Sequence, residues 1–288
     1  MASENAQTTD SQSQPQFQPQ PPSHSAAGML LDNYRFPVHR LQLHDVEPGK
    51  TPLVLVACGS FSPTTFLHLR MFSLAYDYVK ANTNFQVVGA YLSPVSDAYK
   101  KVGLAPAHHR IRMAELAVQR RTRTADCLMV DPWEAIHAEY MPTAKVLDHF
   151  EHELNDHLGG VEDTNGIKHP VRIALLAGAD LIQTMSTPGV WSQEDLAHIL
   201  GKYGAFVIER AGTDFQEAVG NLKEWENNIY YIPQTVSNDV SSTRVRLLSK
   251  RRMNIDYLVP TEVVNYISQH GLYQDEDGSV TGKLKDKA

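Results

Sequence analysis

Cysteine is scarce in this sequence of 288 residues, which contains only Cys58 and Cys127. Two cysteines are too few for a disulfide-stabilised scaffold or a four-cysteine zinc site, so we expect a reducing compartment. No apolar run approaches the length that a bilayer requires, and we expect no membrane partner. Lysine and arginine are absent before Arg35, which argues against a secretory signal or a mitochondrial presequence.

An excess of basic charge is also missing. The chain carries 26 Lys and Arg against 33 Asp and Glu, a formal net charge of −7. Nucleic-acid-binding domains usually carry a basic excess, so we expect no nucleic-acid partner. The sequence contains no G-x-x-x-x-G-K-[ST], G-x-G-x-x-G or G-x-S-x-G motif, which argues against a P-loop NTPase, the common dinucleotide-binding fingerprint and a nucleophile elbow.

Composition divides the chain into three parts. Residues 1–45 are predicted to be a disordered or extended N-terminal segment, because residues up to about 27 are rich in Gln, Ser and Pro and offer little apolar surface to bury. Residues 46–273 are predicted to form one folded domain. The polar, charged residues 274–288 are predicted to form a flexible C-terminal tail.

Apolar periodicity within the domain alternates between strand and helix. Residues 53–57, 85–92, 127–130, 171–177, 205–208 and 229–232 read as strands. Residues 64–80, 106–120, 143–158, 193–202, 242–249 and 261–270 read as helices. This alternation predicts an α/β, doubly wound, mostly parallel sheet with helices on both faces. Ligands of such sheets bind beyond the carboxyl ends of the strands, so we expect function in the loops after Ala57, Leu92, Val130 and Ala177. The polar residues 159–169 read as a plain surface connection.

The loop after the first predicted strand, residues 58–68, carries the most informative pattern. Gly59 allows a tight turn with close backbone approach, and the helix that follows directs free backbone amides beyond the sheet, a natural anion site. Thr65 and His68 share a face of the first helical turn, where a histidine can donate to phosphate oxygens. The alternative is an ordinary strand–turn–helix connection with an incidental histidine, and the pattern alone leaves both open.

A second candidate anion site lies in residues 238–246. Ser241 or Ser242 can cap a helix N-terminus, and Arg244 and Arg246 supply guanidinium groups suited to phosphates. The alternative is a capped surface helix with solvated arginines. Together the two segments predict an enzyme that binds a polyphosphate between two helix N-termini.

These motifs resemble those of a known family. Residues 59–68 (GSFSPTTFLH) match the G-x-F-x-P-x-[HT]-x-x-H signature of the nucleotidylyltransferase superfamily, and residues 240–246 (VSSTRVR) resemble its second signature, I-S-S-T-x-x-R. Further segments are similar to eukaryotic nicotinamide mononucleotide adenylyltransferases: residues 93–101 (SPVSDAYKK), 131–134 (DPWE), 176–180 (LAGAD) and 188–191 (PGVW). Residues 34–41 resemble an N-terminal extension of fungal members, and the similarity runs from about Thr51 to Tyr273.

The resemblance implies a Rossmann-like fold and a reaction that joins ATP to nicotinamide mononucleotide or nicotinic acid mononucleotide, forming NAD or deamido-NAD and pyrophosphate. The mononucleotide 5′-phosphate would attack the α-phosphate in line, with no covalent intermediate, so catalysis would depend on alignment and charge stabilisation. The implied cofactor is Mg²⁺, which would enter with ATP and be held mainly by phosphate oxygens. We expect no metal held by a protein cluster.

The resemblance also implies roles for individual residues. The catalytic groups would be His68, Lys100 and Arg246, with Lys101 as an alternative to Lys100. ATP and its phosphates would be bound by Gly59, Ser60, Phe61, Thr65, Gly178, Asp180, Asn238, Ser242, Thr243 and Arg244. The mononucleotide would contact Ser60, Lys100, Trp133 and Trp191, the two indoles stacking on its cationic ring. Plain structural alternatives are a core residue for Trp133 and a helix N-cap for Asp180.

Several alternatives stay open at this point. A pantetheine-phosphate adenylyltransferase or a cytidylyltransferase shares the first loop, a class I aminoacyl-tRNA synthetase core is more distant, and a non-catalytic, chaperone-like member would keep the fold without turnover. His149 and His152 could chelate a metal, but the sequence offers no third ligand. The basic residues 250–252 could serve nuclear import or end a helix, so we expect the nucleus or the cytoplasm. Assembly into a homo-oligomer is left open.

Overall fold

A parallel sheet forms the centre of the protein. A computed structural model describes residues 33–119, 126–210, 219–236 and 238–274. In chain order, its strands are β1 (Thr51–Gly59), β2 (Phe85–Pro94), β3 (Leu128–Val130), β4 (Val161–Glu162), β5 (Lys168–His169), β6 (Arg172–Gly178), β7 (Ala205–Ile208) and β8 (Ile229–Ile232). Six of them form one sheet in the order β3-β2-β1-β6-β7-β8, and every neighbouring pair is parallel.

Helices connect these strands. They are α1 (Phe66–Asn82), α2 (Ala107–Val118), α3 (Trp133–Ile136), α4 (Thr143–Glu151), α5 (Ala179–Ser186), α6 (Gln193–Leu196), α7 (Ser242–Lys250) and α8 (Thr261–Gln269). Helix α4 continues as a π-helix over His152–His157, and α6 continues as one over Ala197–Tyr203. Short 3₁₀ turns span Asp97–Tyr99 and Lys223–Asn228.

Both faces of the sheet are covered by apolar layers. Because strand side chains alternate in direction, Val54 and Val56 of β1 enter one cluster while Leu53 and Leu55 enter the other. The first cluster includes residues of α4, and the second includes residues of α1 and α2. This arrangement confirms the predicted doubly wound, Rossmann-like α/β sheet.

A third apolar cluster joins α7 and α8 to α2. Val245 of α7, Val263 and Ile267 of α8, and Met113 of α2 are all buried in it. This packing fixes α7, which carries the second predicted signature, relative to the domain that carries the first.

The prediction for residues 159–169 is wrong in one respect, because this surface connection contains β4 and β5. The two strands pair antiparallel, Val161 with His169 and Glu162 with Lys168. Val161 is buried and enters the core, so the segment is more than a solvated loop. The predicted helix 143–158 is α-helical only to Glu151, and α3 was not predicted. Helix α5 entered the prediction only through the alternative of Asp180 as a helix N-cap, and the N-cap is Gly178 instead.

The described part of the N-terminal segment lies against the domain. Leu41 is buried, and the backbone amide of Gln42 donates to the carbonyl of Val88 in β2 at 2.8 Å. The Tyr91 hydroxyl donates to the carbonyl of Pro37 at 2.8 Å. The predicted disorder before residue 33 and the predicted tail from residue 275 lie outside the described residues. The boundaries at 45/46 and 273/274 stay predictions.

Candidate active site

An open cleft lies where the strand order reverses, between the carboxyl ends of β1 and β6. Cys58 and Gly59 line it from β1, and Ala177 and Gly178 from β6. The walls enclose about 970 Å³, including solvent at the mouth. This is the point at which open α/β sheets bind ligands. Other lining residues are Phe61, Leu67, His68, Met71, Asp180, Leu181, Ile208, Glu209, Arg210, Gln234, Val240, Ser241 and Ser242.

His68 is held in one orientation by the cap of α1. The Thr65 amide donates to His68 Nδ1 at 2.9 Å, and the Thr65 side chain accepts from the His68 amide. Nδ1 therefore acts as an acceptor, which places the proton of the neutral ring on Nε2. Burial lowers the pKa of His68 to about 4. The imidazole in this ligand-free cleft is therefore neutral at pH 7 and offers Nε2–H as a donor.

The turn before α1 leaves little room for a side chain at Gly59. A Cβ on Gly59 would lie 3.1 Å from the ring of Phe61. Phe61 is buried, has a left-handed backbone with φ of 44°, and packs edge-on against His68 with the ring centroids 5.1 Å apart. A side chain at position 59 would therefore require the Phe61 ring, which contacts His68, to move.

The two signature segments are joined by direct hydrogen bonds. Ser242 Oγ donates to the carbonyl of Pro63 at 2.9 Å, across 179 residues of chain. Arg246 Nη1 donates to the carbonyl of Ser62 at 2.9 Å, and its Nη2 donates to Thr243 Oγ1 at 3.3 Å. The N-termini of α1 and α7 are therefore fixed relative to each other, as the two-site prediction requires.

Of the two serines predicted as possible caps of the second helix, Ser241 is the N-cap of α7. Its Oγ accepts from the amide of Arg244 at 3.2 Å. The Arg244 side chain is 64% exposed and pairs with Asp239 instead of facing the cleft. Asn238 Oδ1 accepts from the amide of Val240 at 3.0 Å, which shapes the turn before α7.

Helix α5 presents a second set of predicted residues to the cleft. It begins immediately after β6, with Gly178 at its N-cap and Asp180 in its first turn. Asp180 forms an ion pair with Arg210, which follows β7 and also lines the cleft. Arg210 was not predicted, because its place beside Asp180 depends on the pairing of β6 with β7.

Lys100 and Lys101 lie apart from this cleft. They line a shallow depression with Asp97, Leu104 and Pro106, and Lys100 has a left-handed backbone with φ of 51°. The structure therefore does not bring either lysine together with His68, although Gly103 of the same loop lies beside Arg246.

The two predicted tryptophans also lie outside the cleft lining. The indole of Trp133 is partly buried and stacks on the His149 imidazole, with centroids 4.2 Å apart and planes 5° from parallel. Trp191 is half-buried, and its Nε1 donates to Thr184 Oγ1 at 3.2 Å. Trp133 follows β3 directly, whereas Trp191 lies in the connection between α5 and α6.

Sequence reasoning missed Arg110, which is fully buried. Its guanidinium donates to the carbonyls of Ala105 at 2.8 Å and Ser60 at 3.2 Å, and to Asp97 Oδ1 at 2.9 Å. It thereby ties the first signature loop to the loop that carries Lys100. The available signal was an arginine on the α2 face that buries Met113, Ala114 and Ala117.

Glu134 was also missed. Its side chain is buried, and Oε2 accepts from Ser93 Oγ at 3.0 Å. Burial raises the pKa of Glu134 to about 8, so the carboxyl group carries a proton at neutral pH.

Within residues 33–119, 126–210, 219–236 and 238–274, no group of three His, Cys, Asp or Glu side chains is arranged to hold a metal ion. In that same part of the chain, no helix combines the length and apolar character that crossing a membrane requires.

Comparison with known proteins finds close relatives. Residues 56–248 match the cytidylyltransferase-like family model. The chain is 50% identical over 260 residues to nicotinamide/nicotinic acid mononucleotide adenylyltransferase 1 of Saccharomyces cerevisiae, covering 89% of this chain and 64% of that one. It is 52% identical to the Schizosaccharomyces pombe enzyme, covering 86% and 67%. It is 37% identical to nicotinamide/nicotinic acid mononucleotide adenylyltransferase 1 of Bos taurus, covering 79% and 90%. The chain thus spans about two thirds of the length of the two fungal relatives, 64% and 67%.

Solved structures share the fold. Nicotinic acid mononucleotide adenylyltransferase of Plasmodium falciparum, complexed with NaAD, aligns with a TM-score of 0.59 at 19% identity, covering 77% of this chain and 97% of that one. The same enzyme complexed with APC gives 0.57 at 18% identity, covering 77% and 96%.

Proposed function

Because the chain belongs to the nicotinamide/nicotinic acid mononucleotide adenylyltransferases of the cytidylyltransferase-like family, we propose that it transfers the adenylyl group of ATP to one of these mononucleotides. An oxygen of the mononucleotide 5′-phosphate forms a bond to the α-phosphorus of ATP. The bond between that phosphorus and the bridging oxygen of the β-phosphate breaks, and pyrophosphate leaves. The product is NAD or deamido-NAD.

One observation carries this proposal: the cleft at the strand-order reversal holds His68 between the N-termini of α1 and α7. A mononucleotide phosphate is already a nucleophile, so the protein needs to align two phosphates and stabilise the charge that develops between them. Backbone amides at helix N-termini and a fixed Nε2–H donor are suited to that task.

We assign the triphosphate to the side of the cleft formed by the first signature loop and α7. The Gly59–Phe61 backbone and Ser60 bind phosphate, and His68 Nε2 donates to the α-phosphate. The Ser242–Thr243 turn and Arg246 hold the leaving pyrophosphate. The Arg246 bonds to Ser62 and Thr243 favour this role, since they orient the guanidinium before ATP binds.

The adenosine side of ATP is assigned to α5. Gly178 and Asp180 are proposed to meet the ribose, with Asn238 near the base. Because Asp180 pairs with Arg210 in the cleft, ribose hydroxyls would bind next to this ion pair or replace part of it. The mononucleotide is assigned to Trp133 and Trp191, and Lys100 or Lys101 is assigned to a phosphate.

We propose that Mg²⁺ enters bound to ATP. Magnesium keeps most of its ligands as water and phosphate oxygens in nucleotide sites, so one or two oxygens from the protein suffice. The side chains that line the cleft and carry oxygen are those of Asp180, Glu209, Gln234, Ser241 and Ser242. When bound, the ion neutralises phosphate charge.

The compartment is proposed to be the nucleus or the cytoplasm. Cys58 and Cys127 are both free thiols, which favours a reducing compartment. The compartment is tested by imaging a fluorescent fusion of the full chain, with and without substitution of Arg251 and Arg252 by glutamine. Loss of nuclear fluorescence in the variant would indicate a nuclear import signal, and unchanged fluorescence would indicate a solvated helix end.

The reaction is tested by mixing the full chain with ATP, Mg²⁺ and nicotinamide mononucleotide and reading NAD through alcohol dehydrogenase. His68→Ala removes the proposed donor and is expected to slow turnover about 10²- to 10³-fold. His44→Ala is the matched control, because His44 is 65% exposed and contacts Glu162 far from the cleft. Nicotinic acid mononucleotide is tested by pyrophosphate release.

Equal rates for wild type and His68→Ala would contradict the role of His68 and leave the reaction standing. No product from either mononucleotide, with pyrophosphate released when phosphopantetheine or a CTP-dependent acceptor is offered, would move the chain to another branch of the family. Binding of both substrates without turnover would indicate a non-catalytic member.

A further inference from the structure

We propose that Tyr34, in the N-terminal segment, is a positioning residue for the mononucleotide-binding wall and acts on Trp133 through Asp131 and His149. This inference rests on the proposed function, which places Trp133 against the pyridine ring of the mononucleotide. It gives the N-terminal segment, which lies outside the matched family model at residues 56–248, a part in substrate binding.

The Tyr34 hydroxyl reaches two buried groups at once. It donates to Asp131 Oδ1 at 2.9 Å, and it lies 2.9 Å from His149 Nε2. Asp131 is fully buried after β3, and His149 on α4 is 8% exposed. One hydroxyl therefore connects three parts of the chain that are separated by 97 and 115 residues.

Both groups set the position of Trp133. Asp131 Oδ1 accepts from the Trp133 amide at 3.3 Å, which fixes the backbone at the start of α3. The His149 imidazole forms the parallel stack under the Trp133 indole, with planes 5° apart. A ring held by a hydrogen bond at one edge cannot turn freely, so the Tyr34 contact fixes the plane on which the indole rests.

The electrostatics of the network favour a neutral phenol at this place. Burial, followed by the nearby Asp131 carboxylate, raises the pKa of Tyr34, so the hydroxyl stays a donor. Asp131 Oδ2 is buried without a hydrogen bond in the described part of the chain, and His149 Nε2 lies 3.3 Å from it. Without the Tyr34 donor, the carboxylate would depend more strongly on His149, which would draw the imidazole out of its stack.

Tyr34→Phe in the full chain removes only the hydroxyl. The KM for nicotinamide mononucleotide is expected to rise roughly three- to tenfold, the effect of one net hydrogen bond, while the KM for ATP changes less than about twofold. Tyr91→Phe is the matched control. It removes another buried hydroxyl that anchors the N-terminal segment, and this hydroxyl donates to the carbonyl of Pro37 rather than to Asp131 or His149. It is expected to leave both KM values unchanged.

A double-mutant cycle tests the route through the indole. Trp133→Phe removes the large stacked ring, and adding Tyr34→Phe to it is expected to change the mononucleotide KM less than about twofold. A mononucleotide KM that is unchanged in Tyr34→Phe, equal rises in Tyr34→Phe and Tyr91→Phe, or full additivity with Trp133→Phe would each overturn the inference. In each of these three cases the wild type still turns over, so only the inference about Tyr34 fails. A wild type that does not turn over would refute the proposed function itself.

Discussion

Replacing Arg110 with methionine tests whether a buried arginine holds the two loops of the site together. The side chain is fully buried and donates to the carbonyls of Ala105 and Ser60 and to the Asp97 carboxylate. Methionine is similar in length and flexible, so it fills most of the space and leaves the acceptors without donors. The Asp97 side chain is 61% exposed and can turn to water, but the two carbonyls cannot do so easily.

The expected loss follows from those two carbonyls. A buried acceptor that loses its partner costs about 1–3 kcal/mol, and removing a buried charge returns part of that. We expect Arg110→Met to lower the free energy of unfolding by about 2–4 kcal/mol. For a domain of this size, that corresponds to a Tm lower by about 4–16 °C.

Thermal unfolding followed by circular dichroism measures this loss. Arg112→Met is the matched control on the same helix, since Arg112 forms a 3.0 Å ion pair with Glu115 and both side chains are about half exposed. Such a pair contributes about 0–1 kcal/mol. Well below the Tm of the variant, Arg110→Met is also expected to lower kcat/KM, because Ser60 and Asp97 are no longer held together. Equal Tm values for the two variants would refute the reasoning.

Three further predictions concern stability. Because burial raises the pKa of Glu134 to about 8 from its usual 4.5, the folded protein binds an extra proton between those values and loses stability as the pH rises through them. Glu134→Gln is therefore expected to raise the Tm over wild type at pH 8 and not at pH 4.5, and equal differences at both would contradict this. Gly160→Ala places a Cβ 2.2 Å from the His169 carbonyl oxygen, whereas the control Gly166→Ala meets nothing within 4 Å, and both have positive φ. Denaturant titration should show a larger loss for Gly160→Ala by about 2 kcal/mol or more, and equal losses would exclude the clash. Ser241→Ala is expected to lower stability by about 1 kcal/mol, because it removes the α7 cap, and also to raise the KM for ATP. Ser192→Ala, which removes the cap of α6, should lower stability without changing the KM for ATP.

The predictable parts of this fold are the elements with enough residues to show a period. The apolar run at residues 53–57 predicted the centre of β1, and the spacing of Leu67, Met71 and Leu74 predicted α1. Strands β4 and β5 have two residues each, which is too short for any alternation to be seen. The extent of helix α5 was missed because it follows β6 without an intervening turn.

The site was predictable where one short segment carries its own geometry. The loop of residues 59–68 encodes a turn, a cap and a histidine within one stretch, and the cap at Thr65 forms as a local interaction. Arg110 and Tyr34 depend instead on partners brought close by the whole fold, so their sequence neighbours carry no sign of these contacts. Lys100 lies in a motif that is visible in the sequence, but the position of its side chain relative to the cleft depends on the conformation of its loop. That position could not be predicted from the motif.

The position of the cleft also explains how a chain with a net charge of −7 can be suited to a polyphosphate. Three helices begin at its walls, α1 near His68, α5 at Gly178 and α7 at Ser242. Each N-terminus contributes unpaired amides and a partial positive charge that falls off within about one turn. Because Ser242 is bonded to Pro63 and the neighbouring strands β1 and β6 fix the other two helices, these local fields converge on one volume. Beyond about 10 Å, salt screens the repulsion between the net negative charge and an anion. Within the cleft, the helix N-termini attract the anion at short range.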